Sequence, residues 1–312
     1  MTTTIEELLN SVVFSEDDVE RVGLDMAVRR RSELRNPRGM FCSLFGLTPS
    51  VLADQFVDLQ VTDVAEAMLD KQENSRRGLE GFLRAHYWLW TRPKNARIMA
   101  AHLDVSEKLC QGDPLWSWVR KIAALRVEKI VWNERTSGPI SEEAETFTIS
   151  VDGTDFKVWE PKHPTKPIDT KYASHKFKKA GLRYEIAISI STGRCVWIHG
   201  PFPAGTHDMT IFRKALKHKI KPGEAVIADR GYQTQREDEA FMSTPSKFDD
   251  AEVDKFKSRA RCRHETFNGR IKMYASMEQT WKNTAEKHKW ALHAVAVTVQ
   301  YHLEHGPGMF AV

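Results

Sequence analysis

Cysteine is scarce in this chain. Its 312 residues include four, Cys42, Cys110, Cys195 and Cys262, with no close pair, which argues against a zinc knuckle or a disulfide framework. Reduced, buried thiols are expected. Long apolar runs are missing too: none nears the roughly 18 residues of a membrane span, and the opening MTTTIEELLN is acidic where a signal peptide needs a basic stretch and then an apolar one. The expectation is an intracellular protein with no membrane partner. Repeats and low-complexity tracts are absent, and 17 Gly and 13 Pro set without a period exclude a collagen-like chain. What is present is 41% hydrophobic and 28% charged, enough for a globular chain of about two domains at roughly 100–200 residues each.

The net charge of +4 is unevenly placed. Residues 1–135 carry 19 Lys and Arg against 20 Asp and Glu, whereas residues 136–312 carry 27 against 22. Three stretches hold the excess: 162–183 with seven basic residues and one acid, 213–221 with five and none, and 255–272 with seven and one. One basic run is usually a solvated face, but three in one half of a chain favour a polyanion such as nucleic acid.

The pattern divides the chain. Over 1–132 apolar residues recur at helical spacing, as in Leu52, Phe56 and Leu59 or Ile122 and Leu125, so this region reads as all-α. The stretch 133–145, NERTSGPISEEAE, is polar and aperiodic and reads as a linker. From 146 to 312 strand-like runs appear at 147–151, 156–159, 182–190, 194–199 and 225–228, with a helix from about Asp208 and a longer one over about 254–277. That order describes an α/β domain with a mixed sheet and flanking helices.

Three carboxylates stand out. Asp152 follows the apolar run FTISV and Asp229 follows AVIA, so each is expected where a buried strand leaves the sheet and faces a cleft; the bland alternative is a turn aspartate beside Gly153 or Gly231. Glu265 is the one acid among the cations of 255–272, a setting that keeps a carboxylate ionised and ready for a metal. At about 100° per residue, Arg261, Glu265 and Lys272 lie within about 40° of one another, and Phe267 points toward the core. An exposed helix with Arg–Glu pairing would explain Arg261 and Glu265 but not the two aspartates.

VDGTD at 151–155, GPFPAGTHDMTIF at 200–212, VIADRGYQ at 226–233 and RCRHETFNGRIK at 261–272 resemble the catalytic core of the DDE transposases with an RNase H-like fold, in particular the PIF/Harbinger group and its bacterial relatives. The resemblance covers about 147–277, with 35 residues between Asp229 and Glu265, too few for the large insertion some relatives carry. It implies a catalytic, metal-binding triad of Asp152, Asp229 and Glu265, with Arg261 and Lys272 as the basic residues flanking the family glutamate. Ser258 stands where some relatives have a tyrosine, so a contact from that tyrosine is not implied. The implied cofactor is Mg²⁺ or Mn²⁺, as two ions, suited to in-line displacement at phosphorus. Water as nucleophile would nick a strand and leave a 3′-OH, which would then join transposon end to target. The implied partners are double-stranded DNA, a further copy of this chain in a homo-oligomer on DNA, and an accessory DNA-binding protein. The implied place is the nucleus if the source is eukaryotic, otherwise the cytoplasm.

His207 and Asp208 match a family motif and are given a supporting role, Asp208 reading equally as a helix N-cap. Lys176, Lys178 and Lys179, interleaved with aromatics, read as a backbone-contacting loop. His288, His293, His302 and His305 lack metal-ligand spacing, and Trp88, Trp90, Trp116 and Trp118 read as core. Residues 93–110 read as a helix-turn-helix whose second helix Ser106 caps, or as part of a packed bundle; DNA contacts there would fall to Arg92, Lys94 and Arg97. The basic run 29–38 reads as a nuclear signal, a DNA contact or a solvated helix. The alternatives to a transposase are a host-adapted nuclease and a non-catalytic DNA-binding or scaffold protein.

Overall fold

The computed structural model describes residues 13–28, 31–136, 146–160, 169–306, 308–310 and 312. Arg29, Arg30, most of the expected linker, and Lys162 and Lys166 of the first basic stretch fall outside them. The chain forms two compact units. One takes the described residues within 1–128, 273–277 and 290–305, the other those within 129–272, 278–289 and 306–312.

The first unit is helical throughout its described residues. Helix α1 (Glu16–Ala27) opens with a capping box, the Ser15 hydroxyl accepting from the Asp18 amide and the Asp18 carboxylate from the Ser15 amide. Helix α2 (Pro37–Phe45) is capped by Asn36, begins with proline and ends at Gly46, φ 79. Gly23 lets these helices meet, since a Cβ there would stand 2.5 Å from the Phe41 ring. Helices α3 (Pro49–Val61), α4 (Arg76–Thr91), α5 (Ala96–Leu103) and α6 (Gly112–Ala124) follow. They bury an aromatic core in which Phe56 contacts Phe82 and Trp118, and Trp88 contacts Trp116. Trp90 is half-buried and donates to the Ser43 carbonyl.

The helix-turn-helix expectation is corrected here. After α5 the chain passes through Asp104, φ 48, and makes one 3₁₀ turn over Glu107–Cys110, where Ser106 gives no side-chain cap. The next α-helix starts afresh at Gly112, φ 59, and Pro114 in its first turn has no N–H to extend an earlier helix.

The second unit is built on a five-stranded mixed sheet of order β3-β2-β1-β4-β5. Its strands are β1 (Thr146–Lys157), β2 (Gly181–Ser189), β3 (Cys195–Pro203), β4 (Glu224–Ala228) and the two-residue β5 (Met242–Ser243). β1–β2 and β2–β3 pair antiparallel, β1–β4 and β4–β5 parallel. The runs 147–151 and 156–159, expected as two strands, are largely one: Gly153 makes no turn and pairs with Glu185, while Trp159 lies beyond the strand. Helix α7 (Asp208–Lys214) covers one face, where Ile149, Val151, Val196, Met209, Phe212 and Val226 share a core. Helix α8 (Ala251–Met273) lies on β1, and α9 (Ala285–His305) contributes to both units.

Two further expectations are corrected. The described start of the linker is structured, for Trp132–Arg135 is a 3₁₀ turn whose Arg135, 2% exposed, is buried against Glu224. The cysteines are free but not all buried: Cys110 and Cys195 are, Cys42 is half-buried and Cys262 is exposed, because Arg263 and His264 take the inward positions of α8 beside it.

Candidate active site

Strand alternation decides which residues of β1 meet α8. Four residues of helix advance about 6 Å and two of strand about 6.6 Å, so positions spaced by four on α8 match positions spaced by two on β1. His264 Nδ1 lies 3.2 Å from Ser150 Oγ, and Asn268 Nδ2 donates to Asp152 Oδ2 at 3.3 Å. Lys272 continues the row, its ammonium 6.0 Å from the centre of the Phe156 ring. Asp152 is therefore in mid-strand, not at a strand end as expected. Asp229 does stand at a strand end: β4 stops at Ala228, and the Asp229 carboxylate accepts from the Gly231 amide at 2.8 Å.

These elements enclose a cleft of about 380 Å³ lined by Asp152, Asp229 and Glu265 together with Ser150, Lys176, Ser258, Arg261, Cys262 and His264. Burial pushes the Asp152 carboxyl up to about 6; Lys176 opposes the rise, and Asp229 and Glu265 add to it. His264 is held neutral by burial, its value brought down to about 4. Among the described residues no three of His, Cys, Asp and Glu stand close enough to enclose a single metal ion.

The other expected residues divide. Lys176 reaches the cleft and its ammonium donates to the Gly153 carbonyl at 2.8 Å, whereas Lys178, φ 55, and Lys179 are exposed on the turn behind it and do not line the cleft. Arg261 lines the cleft and Lys272 does not. His207, not Asp208, is the N-cap of α7, its ring accepting from the Met209 amide; Asp208 instead accepts from Arg183 at 3.1 Å. Burial raises the Asp208 carboxyl, Arg183 opposes this, and Asp152 and Asp229 add to it. In the helical unit Lys94 and Arg97 are exposed, while Arg92 is half-buried at the end of α4 with Nη1 3.5 Å from the Ser276 carbonyl.

Sequence reasoning missed Asn268, which holds Asp152, and the cross-strand pair Arg183–Asp155. The Arg183 guanidinium grips both Asp155 oxygens, at 2.7 and 3.1 Å, and continues to the Thr206 carbonyl and to Asp208. Ser174 donates to Asp155 at 2.5 Å and accepts from the Lys176 amide, which ties the lysine loop to the same network.

Residues 151–300 match a family described as DDE superfamily endonuclease. No curated protein and no solved structure matches the chain. The matched span contains all three carboxylates and supports kinship with DDE-type transposases, hence a nuclease-like or transposase-like function on DNA. The mixed sheet with flanking helices is consistent with a DDE nuclease fold.

Proposed function

We infer that this protein is a metal-dependent DNA transposase or endonuclease of the PIF/Harbinger-like kind, with Asp152, Asp229 and Glu265 as its catalytic carboxylates. One observation carries the reading: residues 77 and 36 positions apart, from a mid-strand, a strand end and a helix, line a single cleft beside Lys176 and Arg261. The donor set fits a hard divalent cation, being oxygen-rich, with Asp152 lifted first by burial and then by the charges of Asp229 and Glu265. A bound Mg²⁺ or Mn²⁺ would supply charge neutralisation for the attacking and leaving oxygens at phosphorus.

The chain's own residues have separable tasks. The three carboxylates would between them hold the divalent ions, and Asn268 fixes Oδ2 of Asp152 by its hydrogen bond. Lys176 and Arg261 present positive charge to the scissile phosphate from two sides of the cleft. Lys178, Lys179 and Lys272 extend that charge along the DNA backbone. Action on transposon ends, assembly as a homo-oligomer on DNA with an accessory DNA-binding protein, and a nuclear site of action in a eukaryotic source belong to this reading through the resemblance.

The test is nicking of duplex DNA in Mg²⁺. Asp152→Ala, Asp229→Ala and Glu265→Ala are each expected to abolish it while leaving duplex binding largely intact, since cations supply the affinity. A purified Glu265→Ala protein that cuts as fast as wild type overturns the assignment.

A further inference from the structure

We propose that Asp208, outside the cleft on the opposite face of β1, strengthens the cleft's hold on a divalent cation through its charge. The inference rests on the metal-dependent reading above.

Ser150 and Asp152 meet α8, so Gly153 and Asp155 lie on the other face of β1. There the carboxylate of Asp208 occupies the space that side chains would otherwise take. A Cβ on Gly153 would stand 2.2 Å from Asp208 Oδ1, and one on Gly231 would stand 3.0 Å from Oδ2. These glycines lie next to Asp152 and two residues beyond Asp229, so the two segments carrying the catalytic aspartates both make room for the same carboxylate. Arg183 holds it there: Nη1 donates to Oδ1 while the rest of the guanidinium is fixed by Asp155 on β1 itself. Asp208 is thereby tied to the strand that carries Asp152.

An independent observation points to a ligand in the cleft. His264 lines it, is 3% exposed and leaves Nε2 buried with no partner among the described residues. A buried polar atom left unsatisfied at a cleft is a position that a bound group or its hydration shell can complete. Asp208 does not line the cleft, whereas Asp152, Asp229 and Glu265 do, so the geometry gives it an action through its field and not a place in the coordination shell. Asp208 bonds to Arg183 and not to a carboxylate of the cleft, so its contribution is the Coulombic attraction of one charge, on the order of tenfold in metal affinity.

The test is Mn²⁺ titration of the full-length protein by calorimetry and by electron paramagnetic resonance, with no DNA present. Asp208→Asn keeps the shape and an acceptor for Arg183, and is expected to weaken Mn²⁺ about tenfold with the melting temperature unchanged. Gly153→Ala, which displaces the carboxylate without altering any charge, is expected to weaken Mn²⁺ in the wild-type background and to add little in an Asp208→Ala background. It supplies the readout should Asp208→Asn fold poorly. If Asp152→Asn loses Mn²⁺ but the Asp208→Asn affinity stays within twofold of wild type, this inference falls and the catalytic assignment stands. If wild type and Asp152→Asn bind Mn²⁺ alike, the metal-dependent reading falls and takes this inference with it.

Discussion

The two units bury different kinds of residue. The helical unit fills its interior with Phe41, Phe45, Phe56, Phe82 and tryptophans, and its caps satisfy helix ends locally with Ser15, Asn36, Ser75 and Asn95. Its ion pairs, such as Arg76–Glu80 and Arg21–Asp18, lie at the surface. Among the described residues Arg84 is the one buried Lys, Arg, Asp or Glu of the helical unit, whereas the sheet unit buries Asp155, Arg183, Glu185, Glu224, Glu239, Lys257 and Arg263. Buried charge is a poor way to gain stability and a good way to fix geometry, because each ion must be desolvated and then met by a partner in one orientation. The unit that carries a cleft of carboxylates thus also carries a buried ionic frame that orients it.

The largest expected effect comes from breaking that frame. Arg135 and Glu224 are 2% and 0% exposed as side chains and form a two-pronged pair between the 3₁₀ turn before β1 and the start of β4. Arg135→Ala leaves a buried carboxylate without its partner and is expected to cost about 3–5 kcal/mol in chemical denaturation. Arg76→Ala in the helical unit, where the arginine side chain is 52% exposed beside Glu80, should cost no more than about 0.5 kcal/mol. Equal costs would remove the distinction between the units.

The second contrast is one of pH. Burial pushes Glu185 up to about 8, above roughly 4.3 in an unfolded chain. Its folded form keeps a proton that the unfolded form gives up, so this contribution is full below about pH 4.3 and is lost as pH rises toward 8, at about 1.4 kcal/mol per unit within that window. His86 in the helical unit is the opposite case, burial bringing it down to about 3 from roughly 6.5. Its contribution is present above about 6.5 and is lost as pH falls toward 3. Glu185→Gln, which still accepts from the Trp197 indole at the bonded oxygen, should raise the melting temperature at pH 8 and have little effect at pH 4.5. His86→Leu should do the reverse. Parallel pH profiles for both variants would show that neither burial matters.

The same difference explains what the sequence disclosed. Glu265 was legible because its isolation among seven cations is a local signal, and Asp229 because an apolar run ends on it. Asp152 was misplaced at a strand end because Gly153 looks like a turn residue; only the fold shows that this glycine yields space to Asp208, 55 residues away. Asn268–Asp152 and Arg183–Asp155 are pairings between remote or alternate positions, and a single sequence carries no local signal for them. In the helical unit the apolar spacing, as at Leu52, Phe56 and Leu59, was readable. The single 3₁₀ turn at Glu107–Cys110 was not, because Ser106 before a short apolar pair looks like a cap whether or not a helix follows.

The smallest expected effect tests whether the helical unit touches DNA at all. Lys94 is exposed, and Arg97, whose side chain is 86% exposed, lies 3.8 Å from Glu107, too loose a pair to hold it from a phosphate. If these side chains contact the backbone, Lys94→Ala and Arg97→Ala should each flatten the plot of log affinity against log salt by about one phosphate contact, leaving stability within about 0.5 kcal/mol. Arg92 should behave differently. Half-buried at the end of α4 and directed toward the Ser276 carbonyl, it is expected to change stability more than the salt slope when replaced by alanine. Fluorescence anisotropy of a labelled duplex across a salt series, run beside thermal melts, separates the two outcomes. A salt slope unchanged in both exposed variants would confine backbone contact to the sheet unit, where Lys176 and Arg261 already line the cleft.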